Sequence, residues 1–141
     1  MRFLWNPGIV VVLSAGLVAM PVAAQEAKKP PNCEQAASTP EIAFCAELEL
    51  REANVELSKV FKDVIAKIKA ASHINVNQRR DWERAMREAQ LHWIAFRDKD
   101  CGEVTGWEWY RGTGQGAATL GCKAAKTKAR AEELKARYTD R

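Results

Sequence analysis

Histidine is nearly missing from this 141-residue sequence, which carries only His73 and His92. Neither stands in a His-Glu-x-x-His or other metal-ligand spacing. Serine is thin as well. Beyond residue 24 only Ser38, Ser58 and Ser72 occur, none flanked as Gly-x-Ser-x-Gly, which excludes the nucleophile elbow of a serine hydrolase. No Gly-x-Gly-x-x-Gly follows a strand, so a dinucleotide fingerprint is excluded too. No Cys-x-x-Cys pair exists, which argues against a zinc site or a thioredoxin-like redox motif. Asp98 and Asp100 lie two apart in a helical stretch and point to different faces, so they do not form the carboxylate pair of a glycosidase. Strand alternation, internal repeats and low-complexity tracts are also wanting. The sequence therefore reads as an all-α non-enzyme with no cofactor and no metal.

A long apolar run is lacking as well. The strongly apolar stretch Ile9–Met20 is shorter than the roughly 20 residues that span a membrane. It follows the basic Met1-Arg2 and leads to Pro21-Val22-Ala23-Ala24, with small residues at the −3 and −1 positions before Gln25. Residues 1–24 thus read as a secretory signal peptide, with an uncleaved anchor as the alternative. No cysteine follows closely enough for lipid attachment. Cleavage would leave residues 25–141, with 21 basic and 18 acidic side chains and a net charge of +3. The expected location is periplasmic or secreted, with no stable membrane span after cleavage. A domain this small buries a modest core and benefits from covalent support.

Such support is present. Cys33, Cys45, Cys101 and Cys122 all follow the signal peptide, and an even number there implies disulfides. Three connectivities exist. The local pairing Cys33–Cys45 and Cys101–Cys122 is preferred because each closes a short loop beside a predicted helix end.

Residues 25–37 read as a mobile leader and residues 38–141 as a helical domain. The first helix begins at Ser38-Thr39-Pro40-Glu41, where Thr39 can cap ahead of Pro40 and Ser38 stands at capping-box spacing from Glu41. Ala46, Leu50, Ala53, Leu57, Val60, Val64 and Ile68 recur at three- and four-residue steps, widened by Phe61 and Ile65. A turn is expected at His73-Ile74-Asn75. The second helix runs from Asn75 to about Asp100 with an apolar face of Trp82, Met86, Ala89, Trp93 and Phe96. The third runs from Ala117 to Tyr138, with Leu120, Ala124, Thr127, Ala131, Leu134 and Tyr138 in register. Its small residues require close packing. The predicted architecture is a small antiparallel three-helix bundle stapled by two disulfides. All four cysteines gather at one end.

Between the second and third helices, Gly102–Gly121 holds every glycine beyond residue 24, together with Trp107, Trp109 and Tyr110. A long Gly/Trp-rich loop is expected there. Loops of this length in compact domains are commonly functional. Trp107, Trp109, Tyr110 and Arg111 are of the types enriched in binding hot spots. With the neighbouring Glu103 and Glu108 they form the candidate partner-binding set. The basic residues of the third helix, Lys123, Lys126, Lys128, Arg130, Lys135 and Arg137, read first as a solvated face. Their functional alternative is attraction to anionic envelope polymers. No nucleic-acid partner is expected for an exported chain.

Gln90-x-x-Trp93-x-x-Phe96-Arg97-Asp98-x-x-Cys101 resembles the Gln-x-x-Trp-x-x-Tyr-Arg-Asp-x-x-Cys signature of the LprI-like lysozyme-inhibitor family. Cys33 and Cys45 match its first cysteine pair. Asn54-x-x-Leu57-Ser58-x-x-Phe61 stands where the family has Asp-x-x-Leu-Asn-x-x-Tyr. Gly112-Thr113, spaced from Cys122, and then Thr127, Arg130 and Leu134 match its later positions. Two family tyrosines are Phe61 and Phe96 here, and Arg111 stands where a glycine is common. These signature positions read as scaffold, with Trp93 and Phe96 as core and Arg97 and Asp98 as a polar tie to the loop. The resemblance implies a partner-binding domain that inhibits lysozyme by occluding its cleft. The alternative is an envelope scaffold, or a module that binds peptidoglycan or another envelope protein.

Overall fold

A computed structural model describes residues 30–138. The segment expected to be a signal peptide, residues 1–24, and the start of the expected leader lie outside the described residues. Everything described is helix or connection. A 3-10 turn at Cys33–Gln35 precedes α1 (Thr39–Ala70), α2 (Val76–Lys99), a π-helical turn at Asp100–Val104, the short α3 (Thr105–Glu108) and α4 (Gln115–Tyr138). Three of these are long. Among the described residues no helix is long and apolar enough to cross a membrane.

Local chemistry sets the starts. Ser38, not Thr39, caps α1: its hydroxyl accepts from the Glu41 N–H while the Glu41 carboxylate accepts from the Ser38 N–H. Thr39 becomes the first helical residue, with Pro40 behind it, where its missing N–H costs nothing. Asn75 caps α2 in the same reciprocal way with Gln78. The turn between them is fastened by Arg79, whose guanidinium donates to the Ala71 and Ile74 carbonyls.

The core is Leu57, Val60, Val64, Ile65 and Ile68 of α1, Met86 of α2, and Ala131, Leu134 and Tyr138 of α4, with Phe61, Trp82 and Trp93 packed at its edge. α1 and α4 approach most closely. Ala124, Thr127 and Ala131 are small enough to let the two backbones come together. Contacts between them advance in step: Glu49 with Lys128, Glu56 with Lys135, and Lys67 with the Tyr138 carbonyl. Contacts of α2 run the other way, Asn54 with Arg97 and Lys69 with Glu83 on α1, Thr127 with Arg97 and Tyr138 with Met86 on α4.

The disulfides are Cys33–Cys45 and Cys101–Cys122. Cys33 and Cys45 share a groove with Ala117 and Gly121, next to Cys122, so both bridges sit at the same end.

The expected long loop is corrected. Residues 100–108 are helical and α4 begins at Gln115, which leaves only 109–114 outside a helix. The glycines misled. Gly102, Gly116 and Gly121 lie within helical turns, where a Cβ would meet nothing within 4 Å. The inward face of α2 also differs from the expected one. Met86, Gln90 and Arg97 are buried, whereas Ala89 is exposed and Phe96 is 57% exposed beneath the Lys126 ammonium. Phe96 is therefore not core, and Trp93 is only half-buried.

Candidate functional site

Two groups of sequence-singled residues assemble at the stapled end. The first is a polar seam joining α1, α2 and α4. Arg97 stands at its centre with its side chain only 11% exposed. Its Nη1 donates to Thr127 Oγ1 at 3.0 Å and to Asn54 Oδ1 at 3.3 Å, while Nε and Nη2 both donate to Asp98 Oδ1. The hydroxyl of Thr127, fully buried, donates in turn to the Lys123 carbonyl. Arg130 Nε donates to Gln90 Oε1, and its Nη1 pairs with Glu133. Two guanidinium groups approach the Trp93 ring, that of Arg97 at 5.4 Å and that of Arg130 at 5.8 Å from its centroid. Leu134 continues the line into the core. Among the described residues no buried side-chain polar atom lacks a partner.

Burial pushes the Asp98 carboxyl up, but hydrogen bonds from Arg97 and Lys123 and the charges of both outweigh it, so its pKa lies below the ordinary value. The tie expected from Arg97 and Asp98 to the loop is corrected: they join α2 to α1 and α4. The basic row of α4 is likewise occupied. Lys123 pairs with Asp98, Lys126 with Asp100, Lys128 with Glu49, and Lys135 with Glu56 and Glu132. Most of these cations thus already face a carboxylate, though pairs this exposed contribute little to stability.

The second group is the aromatic segment. α3 ends at Glu108, Trp109 caps it, and the chain reverses through Tyr110 and Arg111, both left-handed at φ 48° and 53°. Two adjacent side-chain-bearing residues in that region cost about 1–2 kcal/mol each, and such strain tends to collect at functional sites. It is held by three backbone bonds: Tyr110 N–H to Trp107 O, Arg111 N–H to Gly106 O, and Gly112 N–H to Trp109 O. The Trp109 ring occupies the space a side chain at Gly114 would need, 2.7 Å from an ideal Cβ. Arg111 folds over Trp107, its guanidinium carbon 4.4 Å from the ring centroid. The result is an exposed platform, with Trp107 65%, Trp109 51% and Tyr110 92% accessible. Gly112 accepts from the Gln115 N–H at the start of α4, and Thr113 is exposed beside it.

Glu103 stands in the π-helical turn, paired with Lys99. Glu108 is exposed between the two tryptophans and enters no ion pair among the described residues. Sequence reasoning missed Lys123, Lys126 and Asp100 as helix ties, because nothing in their spacing announces a partner on another helix. The π-helical turn left no readable mark either. Among the described residues the only grouping of metal-type donors is Asp100 with Cys101 and Cys122. Both sulfurs are in the disulfide and Asp100 faces Lys126.

The described residues thus form a helical domain with two disulfides, a buried arginine seam and an exposed aromatic segment at one end. Residues 32–134 match the family described as Lysozyme inhibitor LprI, and the chain belongs to that family. It is also similar to an uncharacterized protein of Rhizobium meliloti (strain 1021), 33% identical over 109 residues, covering 74% of this chain and 77% of the relative. No solved structure matches it.

Proposed function

We propose that this protein is an exported, non-enzymatic lysozyme inhibitor, acting in the periplasm or outside the cell, whose aromatic platform occludes the lysozyme cleft. Family membership over residues 32–134 carries the reading. The platform supports the mechanism. Trp107, Trp109 and Tyr110 offer flat apolar faces of the kind that fill sugar subsites, and Arg111 offers a cation for the carboxylates of a glycosidase. Arg111 is held over Trp107 before any partner arrives, so little ordering cost remains at binding.

Charge limits the partner. The whole chain carries a net +4, which gives no long-range steering toward a basic lysozyme. Complementarity is then local and rests chiefly on Glu108, since Asp98, Asp100 and Glu103 already face cations.

The test is a cell-wall lysis assay with purified protein against several lysozyme types. Inhibition is expected, and Trp107→Ala or Arg111→Ala is expected to raise the inhibition constant on the order of tenfold or more, as for truncated hot spots. Absence of inhibition at excess protein overturns the reading. Retention on purified peptidoglycan without inhibition would make it an envelope-binding module instead.

A further inference from the structure

Between α2 and α3 the helix takes one residue more than an α-helix would. The turn Asp100–Val104 is π-helical, with the Thr105 N–H donating to the Asp100 carbonyl, and α-helix resumes at Thr105. One added residue rotates all that follows by about 100° relative to what precedes it.

Burial records that rotation. The inward positions Met86, Gln90, Trp93 and Arg97 lead, by steps of three and four, to Cys101 and then Val104. Cys101 is buried, as that count requires, and Thr105 fits a step of four, but Val104 is half exposed and Gly106, which an uninterrupted helix would turn away from the core, is buried. The inward face has moved one residue along. Trp107 follows Trp93 by close to four α-helical turns, so an uninterrupted helix would set it on the half-buried flank that Trp93 occupies. The added residue turns Trp107 out to solvent. Asp98–Lys123 at the end of α2, and Asp100–Lys126 and Cys101–Cys122 in the first two residues of the turn, clamp this region to α4, so the rotation is expressed in α3 and the platform.

We infer that the single extra residue of this π-helical turn aims the aromatic platform, making the turn a positioning device for partner binding; this rests on the lysozyme reading above. Deleting Gly102 removes one residue and leaves Cys101 and every clamp in place. In the deletion protein Trp107 rotates inward. Hydroxyl-radical footprinting read tryptophan by tryptophan is expected to show Trp107 protected, and the inhibition constant is expected to rise by roughly thirtyfold, the loss of one hot-spot ring. Gly102→Ala keeps the residue count, and its Cβ meets open space, so it is expected to inhibit like the native protein. An alanine re-inserted after Glu103 in the deletion protein is expected to restore inhibition, separating a rotated platform from a damaged fold. Should the deletion protein not fold, an alanine added after Gly102 of the native chain turns the platform about 100° further, with the same loss expected. Native-like inhibition by the deletion or the insertion protein overturns this inference alone. A native protein that inhibits no lysozyme overturns the reading beneath it, and this inference with it.

Discussion

Arg97 shows how one side chain can organise a domain that buries little. Its guanidinium is taken from water and repaid by four hydrogen bonds from three directions, to Thr127, to Asn54 and twice to Asp98. Removing one partner of such a group costs more than the bond is worth, because the donor left behind stays buried. Thr127→Val keeps shape and deletes the acceptor. It is expected to lower unfolding free energy by about 1–3 kcal/mol in urea titration, whereas Thr127→Ser keeps the acceptor and loses only one buried methyl, about 1 kcal/mol. Asp98 adds a dependence on pH. Its pKa is lower folded than unfolded, so its contribution is full above the ordinary value of 3.8 and disappears as pH falls through the folded value. Native protein should therefore be more stable than Asp98→Asn at neutral pH, and the gap in urea midpoints should close well below 3.8. A gap that stays constant across that range would show that the carboxylate charge contributes nothing.

α4 carries the contrast between small residues that are needed and small residues that are merely tolerated. Ala124 is fully buried where α4 nears α1, while a side chain at Gly121 would meet open space. The same kind of enlargement should therefore have opposite signs along one helix. Gly121→Ala is expected to stabilise by about 0.5–1 kcal/mol through helix propensity, and Ala124→Leu to destabilise by about 1–3 kcal/mol through overpacking, both read by thermal or urea unfolding. The pattern of α1 and α4 was legible in the sequence because their inward residues, apolar but for Thr127, keep a steady three- and four-residue step from Ala53 to Ile68 and from Ala124 to Tyr138. α2 was misread for a physical reason. Its inward positions include Gln90 and Arg97, so a count of apolar residues slides toward Ala89 and Phe96, which face out. Residues 102–121 were misread because glycine and tryptophan together resemble a loop, whereas a disulfide and a π-helical turn hold most of that stretch helical.

At the scale of the molecule, stability and presentation are divided between the two ends. The far end closes with a short turn and the core residues Ile68 and Tyr138, and the near end holds both disulfides and the platform. The disulfides close segments of similar size, 12 and 21 residues apart in sequence. By chain-entropy reasoning each constrains the unfolded state by about 3 kcal/mol, so their contributions to stability should be alike. Their consequences for binding should not be. Cys33–Cys45 ties the leader to α1, while Cys101–Cys122 brackets Trp107, Trp109, Tyr110 and Arg111. Replacing both members of either pair with serine should lower the urea midpoint comparably. Only Cys101→Ser with Cys122→Ser should also weaken lysozyme inhibition by an order of magnitude or more when assayed well below its unfolding midpoint, because the strained turn at Tyr110 and Arg111 then loses the clamp that keeps its base in place. Equal loss of inhibition from both replacements would show that the binding surface is not confined to the bracketed segment.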